Sequence, residues 1–307
     1  MSAHCKCLDG KVFFLTGVAL AYLAHSGSAA AATPCDIALT AEEPEDVELE
    51  YDPFDLERAL GTTRITISNN SDQTCPVVLE LITGGDRSRV ARLDNLGTQA
   101  EIVMAGTSDG MRGSGRGIAF DVPAADSTEV ELEVLVAAGA YPRPGNYQDT
   151  VRFQLRDAES NRFLSEELPL RIATFVPARA QINIAGSSGP FGERGSVNQI
   201  DFGTLQSGLR RDVVVQVRSN SEYQVSMRSE NNGRLVHEDD PQLPSIPYTV
   251  QLGRQRFDLA APGQKQMPRP SSIRGTSTPL VFEIGQVGNV FAGQYRDTVE
   301  VSVRALY

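Results

Sequence analysis

Tryptophan is absent from this chain of 307 residues, and histidine and cysteine are scarce, with three and four copies. The scarcity deepens once the N-terminus is read. Lys6 and Lys11 precede an apolar run over 12–24, and small residues follow at 27–32. That is the layout of an export signal, placed at 1–31, and its apolar run is too short for an easy membrane span. Its removal takes away His4, His25, Cys5 and Cys7. His237 is then the lone histidine, which excludes histidine-based catalytic triads and most zinc sites. Cys35 and Cys75 remain, an even pair in an exported chain, so one disulfide is expected between them. Ala32-Thr33-Pro34 ahead of Cys35 is a poor lipidation box, and no lipid is expected there.

Basic runs are also missing. Asp and Glu number 39 against 28 Lys and Arg, a net charge of −11, which argues against nucleic acid as a partner. The acidic run over 42–50 lacks the ligand spacing and glycine of a calcium loop, and reads as a solvated, charge-protected edge interrupting a first strand at 35–39. Gly84, Gly85, Gly113, Gly115 and Gly117 do not sit between a strand and a helix, as a phosphate loop requires, and read as turn glycines in a loop-rich stretch over 83–115. No cofactor is expected.

Short alternating runs fill the rest. Strands are expected at 62–68, 77–82, 118–122, 129–136 and 164–176, with Val130, Leu132, Val134 and Val136 on one face and Leu168, Leu170 and Ile172 on another. The stretch Gly145-Asn146-Tyr147-Gln148-Asp149-Thr150-Val151 returns 148 residues later as Gly293-Gln294-Tyr295-Arg296-Asp297-Thr298-Val299, and Phe54 and Phe202 stand at the same offset. A repeat at half the chain length means two similar domains, expected at 32–173 and 174–307 with a short, stiff join. Each is expected to be an immunoglobulin-like β-sandwich, the first with about seven strands. In the second, strands are expected at 178–184, 212–220, 223–227, 246–252, 280–285 and the terminus, with an irregular proline-rich loop over 260–270. A further alternating strand follows the first copy of the repeat, whereas the chain stops at Tyr307 soon after the second. The second sandwich is therefore expected to lack its last strand. Tyr295, Val299, Val301, Val303, Val213, Val215 and Val217 would line the resulting cleft.

These residues carry a family resemblance. Phe202-Gly203-Thr204-Leu205, Ser219-Asn220, the run Ile246-Pro247-Tyr248-Thr249-Val250-Gln251-Leu252 and the second copy of the repeat resemble the spore coat protein U domain family, which includes the secreted pilins of archaic chaperone–usher pili. The likeness covers 174–307 and is weaker over 32–172, where Tyr51-Asp52-Pro53-Phe54, Ile67-Ser68-Asn69, Cys35 with Cys75 and the first copy carry it. The second half departs from the pattern in having no cysteine. The resemblance implies an incomplete sandwich held by a periplasmic chaperone, delivered through an outer-membrane usher and completed by a donor strand from an adjacent pilin. Ordinary pilins of this type carry a donor segment ahead of their first cysteine, and only 32–34 would remain here. That implies a tip subunit: an extracellular, non-enzymatic adhesin for surface attachment and biofilm formation, binding a surface or host ligand.

Two rivals compete with that reading. One is a structural coat protein of a spore or cell built from the same domains. The other is a hydrolase using Asp239 and Asp240 beside His237, disfavoured because adjacent residues of a strand face opposite ways. For the adhesin, alternate loops of a seven-strand sandwich cluster at opposite ends. The loops 69–74, 123–128 and 157–163 should then share the outer pole. Asn69, Asn70, Asp72, Asp126, Ser127, Glu159, Asn161 and Phe163 are its candidate contacts, suited to a polar target.

Overall fold

The structure, a computed structural model, describes residues 35–42, 46–82, 89–106, 111–114, 117–184, 191, 199–261 and 263–307. The export signal lies outside the described residues, and these fall in one compact unit, Cys35–Tyr307. The described residues are all-β, with no helix and hence none long and apolar enough to cross a membrane.

Eleven strands build the first half: β1 (Ile37–Ala41), β2 (Asp46–Glu50), β3 (Ala59–Asn69), β4 (Cys75–Leu81), β5 (Val90–Leu93), β6 (Thr98–Gly106), β7 (Arg112–Ser114), β8 (Gly117–Val122), β9 (Ser127–Val136), β10 (Gly145–Asp157) and β11 (Leu168–Val176). They form two sheets, in the orders β1-β3-β9-β6-β5 and β2-β11-β10-β4-β8-β7. Alternation decides what faces inward. Val130, Leu132, Val134 and Val136 of β9 are fully buried, as are Leu170 and Ile172 of β11, and they share one apolar cluster.

Three expectations fail here. The stretch 83–115 is not simply loop, since it holds β5, β6 and β7, so the described residues of the first half form eleven strands rather than about seven. Its β6 buries Ala100, Ile102 and Met104. Gly113 and Gly117 lie in strands, and a Cβ on Gly117 would run into the Leu79 carbonyl, so close backbone approach demands glycine there, not a turn. Gly84, Gly85 and Gly115 lie outside the described residues. The acidic run, of which 43–45 also lie outside the described residues, is an edge as expected, and what fails is the reading that it only interrupts a strand. Its end is β2, an edge strand paired parallel to β11, turning Val47 and Leu49 inward and its acids outward.

The second half begins after three residues, Pro177 to Arg179. Its strands are β12 (Ala180–Ile184), β13 (Arg210–Ser219), β14 (Tyr223–Ser229), β15 (Arg234–His237), β16 (Ile246–Leu252), β17 (Gln255–Phe257), β18 (Gly263–Met267), β19 (Thr276–Ile284), β20 (Tyr295–Arg296) and β21 (Val299–Ala305). One sheet runs β12-β13-β19-β16-β15-β20 with β17 on β16, and the other runs β18-β14-β21. A separate apolar cluster lies between them. The proline-rich loop over 260–270 is a further correction. Gly263–Met267 pairs with β14 as β18, and irregular backbone resumes at Pro268.

Candidate functional site: an open apolar edge beside the last strand

The shared glycine, tyrosine and aspartate of the internal repeat each have a physical job. Gly145 and Gly293 hold φ of 150° and 154°, and a Cβ on Gly293 would collide with Nε2 of His237. The hydroxyls of Tyr147 and Tyr295 each donate to the carbonyl four residues back, Arg143 at 2.8 Å and Phe291 at 3.1 Å. Asp297 gathers four donors: Ser229 Oγ and Tyr248 OH on Oδ2, both at 2.5 Å, and the amides of Asn231 at 3.0 Å and Thr298 at 2.8 Å on Oδ1. Burial, reinforced by that carboxylate, pushes the Tyr248 phenol far above its ordinary range. In the first copy, among the described residues, Asp149 Oδ1 accepts the Asn95 amide alone, at 3.0 Å, and Oδ2 is buried without a partner.

Past the repeat, the two halves diverge. Strand β10 is flanked on both sides, by β4 and by β11, and its Val151, Phe153 and Leu155 are buried. Strand β21 pairs β14 in the matching register, Val301 opposite Met227 and Val303 opposite Val225, as Phe153 faces Leu81 and Leu155 faces Leu79. Among the described residues nothing pairs with its other edge. Val299, Val301 and Val303 are only half-buried as a result. Across the mouth lies β12, the outer strand of the opposite sheet, with Ala180, Ile182 and Ile184 also half-buried. The site is thus an apolar groove along one wall of which runs a backbone edge that no described residue pairs.

The expected cleft residues divide. Tyr295, Val299, Val301, Val303 and Val213 are half-buried along or near the groove. Val215 and Val217 are not open, being 1% and 3% exposed, because β13 is flanked by both β12 and β19. Ala180, Ile182 and Ile184 were missed as groove lining, although their alternation was legible.

At the opposite end of the first half, the three loops of the outer pole do come together. The Asn69 amide donates to Asp126 O at 2.9 Å, Ala125 to Ser71 O at 3.0 Å, and Ala158 to Pro76 O at 3.0 Å. Cys35 and Cys75 are bonded there, closing a sequence separation of 40 residues. Asn70, Asp72, Asp126, Ser127, Glu159 and Asn161 are exposed, and Phe163 is 55% exposed with the Arg156 guanidinium 4.9 Å from its ring centre. Asn69 does not belong to that surface. It is 2% exposed, and its amide nitrogen is spent on the carbonyls of Gln73, Val122 and Pro123.

His237 is structural. Its Nδ1 accepts the amides of Asp239 and Asp240, at 3.2 and 3.3 Å, so Nε2 carries the proton and donates to Ala292 O at 3.3 Å. With both nitrogens engaged on backbone and Tyr295 edge-on to its ring at 5.2 Å, it has no position from which to act as a base.

No family model matches the chain, and no characterised protein matches it by sequence search. Among solved structures, it is similar to the chaperone–tip adhesion subunit complex CsuC–CsuE of archaic Csu pili from Acinetobacter baumannii. The identity is 12% and the TM-score 0.43, over 87% of this chain and 99% of that one. It is also similar to a chaperone–tip adhesin complex of CFA/I fimbriae (9% identity, TM-score 0.40, 87% and 98% covered). A third is AggA, the major subunit of aggregative adherence fimbriae from Escherichia coli (11%, 0.31, 47% and 97%). Each likeness is distant.

Proposed function

We propose that the chain is an exported, non-enzymatic tip adhesin of a chaperone–usher pilus, made of two domains at 32–173 and 174–307. A donor strand, first from the periplasmic chaperone and then from the adjacent pilin after passage through the usher, completes the second domain. The outer pole of the first domain, with Asn70, Asp72, Asp126, Ser127, Glu159, Asn161 and Phe163, meets a surface or host ligand and supports attachment and biofilm formation.

The observation that carries this reading is the unequal fate of two strands in the same register. β10 is paired on both edges, by β4 and by β11, whereas β21 is paired on one edge alone among the described residues. An aliphatic row left half wet and a strand edge left unpaired both favour an incoming strand, which adds alternate apolar side chains and a ladder of hydrogen bonds. The resemblance of 174–307 to the spore coat protein U domain supports the same partner.

The test replaces everything after Arg304 with a copy of residues 157–176, so that β21 is followed by the turn and strand that come after β10. Completing the burial of three valines is worth about 1 kcal/mol each, hence an expected rise in Tm of about 10 °C for residues 32–307. An unchanged Tm, with the added strand digested as fast as an unfolded peptide, would count against the proposal.

A further inference from the structure

Among the described residues, the two sandwiches meet end to end through a small set of groups. Phe54, near the end of the first sandwich, is 7% exposed beneath the Arg218 guanidinium at 4.8 Å. Beside it, Asp52 Oδ1 caps its own turn by accepting the Phe54 amide at 2.9 Å, while Oδ2 pairs with Arg179 at 3.1 Å. Both arginines come from the second sandwich, Arg179 ahead of β12 and Arg218 near the end of β13. The single proton of Tyr141 OH lies within reach of the carbonyls of Ser219 and Pro270.

The second sandwich has the same kind of end, and among the described residues nothing covers it. β13 and β21 both run toward the junction, so Phe202, before β13, and Phe291, before β21, lie at the far end. Asp201 Oδ1 caps its turn by accepting the Gly203 amide at 2.7 Å, as Asp52 does. Asp201 is exposed and makes no ion pair among the described residues, Phe202 is half-buried, and Phe291 is 58% exposed.

The outer pole of the first sandwich shows what cannot cover it. Asn220 donates its amide to Arg179 O at 3.2 Å, and Asn70 donates in the same ladder position to Asp36 O at 2.8 Å. Arg218 pairs with Gln181, two residues on from Arg179, and Ser68 pairs with Ala38, two residues on from Asp36. Where the second sandwich offers two arginines, the first therefore offers an aspartate and a serine, and the pole adds Asp72 and Asp126.

We propose that the far end of the second sandwich, at Asp201 and Phe202, docks a different subunit that presents two arginines in the places of Arg179 and Arg218, and that a second copy of this chain is excluded. The proposal rests on the strand-acceptor reading, because the incoming strand is what brings that subunit to this end. It adds a second determinant of partner choice: an aspartate brought against Asp201 repels, and a serine leaves Phe202 uncovered.

The experiment uses a three-sandwich chain in which residues 157–307 follow Arg304, so that the appended copy supplies both a strand for the groove and its own Arg179 and Arg218. Hydroxyl-radical labelling reads Phe202 in the original second sandwich, with Phe54 as an internal control for folding. Phe202 should be labelled at least threefold less than in the 32–307 chain. Labelling should return when Arg179→Asp and Arg218→Ser are made in the appended copy alone, while Val299 and Val301 stay protected. If Phe202 is labelled equally in all three proteins while the valines are protected, the strand docks without the arginine contact, and the proposal is overturned. If the valines are also unprotected, the strand-acceptor reading fails with it.

Discussion

Removing the carboxylate of Asp297 should cost far more than removing that of Asp149, although both occupy the same place in the repeat. In Asp297→Ala, the hydroxyls of Ser229 and Tyr248 lose their acceptor inside a site where both residues are under a tenth exposed. Each orphaned buried donor costs about 1–3 kcal/mol, whereas the Asn231 and Thr298 amides, near the surface, turn to water. The sum for the two donors is about 2–6 kcal/mol. In Asp149→Ala a single accepted bond is lost, from Asn95, and a buried oxygen without a partner goes with it. Those changes oppose one another, leaving a cost of about 1 kcal/mol or less. Scanning calorimetry of residues 32–307 should show Tm falling by about 10–15 °C for Asp297→Ala and by a few degrees for Asp149→Ala. Asp297→Asn should fall between them, since its amide still accepts at one oxygen. Equal losses at the two positions, or the reverse order, would refute the reasoning that hydrogen-bond partners and not motif membership set the cost.

Single sites give further outcomes. Tyr248 has a folded pKa raised above the unfolded value of about 10, so the folded state holds its proton where the unfolded state releases it. Stability is therefore full below pH 10 and declines above it, and Tyr248→Phe should make the alkaline fall in Tm shallower, read by circular dichroism between pH 8 and 11. Tyr51, Tyr141 and Tyr223 are raised in the same direction by burial, so part of the slope remains. Reducing the Cys35–Cys75 bond, which closes a separation of 40 residues, should lower stability by up to ~4 kcal/mol on the chain-entropy model. Two free thiols in protein purified from the periplasm would count against the pairing. Combined Asn70→Ala, Asp72→Ala, Glu159→Ala and Asn161→Gly changes touch exposed side chains only. They should leave Tm within about 5 °C while reducing attachment of cells in a static biofilm assay, and normal attachment with intact filaments would remove the outer pole from the ligand site.

Much of the fold was legible because period-two alternation is an unambiguous signal when one face is wet. The β9 row of Val130, Leu132, Val134 and Val136 is the clearest case. β6 escaped because its inward residues, Ala100, Ile102 and Met104, alternate with Gln99, Glu101 and Val103, and the glycines around it read as loop. β2 escaped because its acids drown two inward aliphatics, Val47 and Leu49, whose partner β11 lies over a hundred residues away. β18 has hardly any apolar pattern and is recruited by the free edge of β14, a purely tertiary cause. At the groove, the half-wet state of Val299, Val301 and Val303 was readable from the repeat. That Val215 and Val217 are already covered depends on β12 and β19, and it could not be read from β13 alone. Asn69 looked like a surface turn residue, whereas its side chain holds three carbonyls together, a role set by loops distant in sequence.

The most direct test of the central claim is amide hydrogen exchange on residues 32–307, comparing Val299–Ala305 with Gly145–Asp157 in one molecule. The account predicts that alternate amides of Val299–Ala305, those facing away from β14, exchange within seconds. Their counterparts in Gly145–Asp157, bonded to β11, should be protected for hours, and appending residues 157–176 after Arg304 should slow the fast set to match. Equal protection of the two strands in the unmodified chain would contradict the account, because the edge of β21 would then already be paired within the molecule.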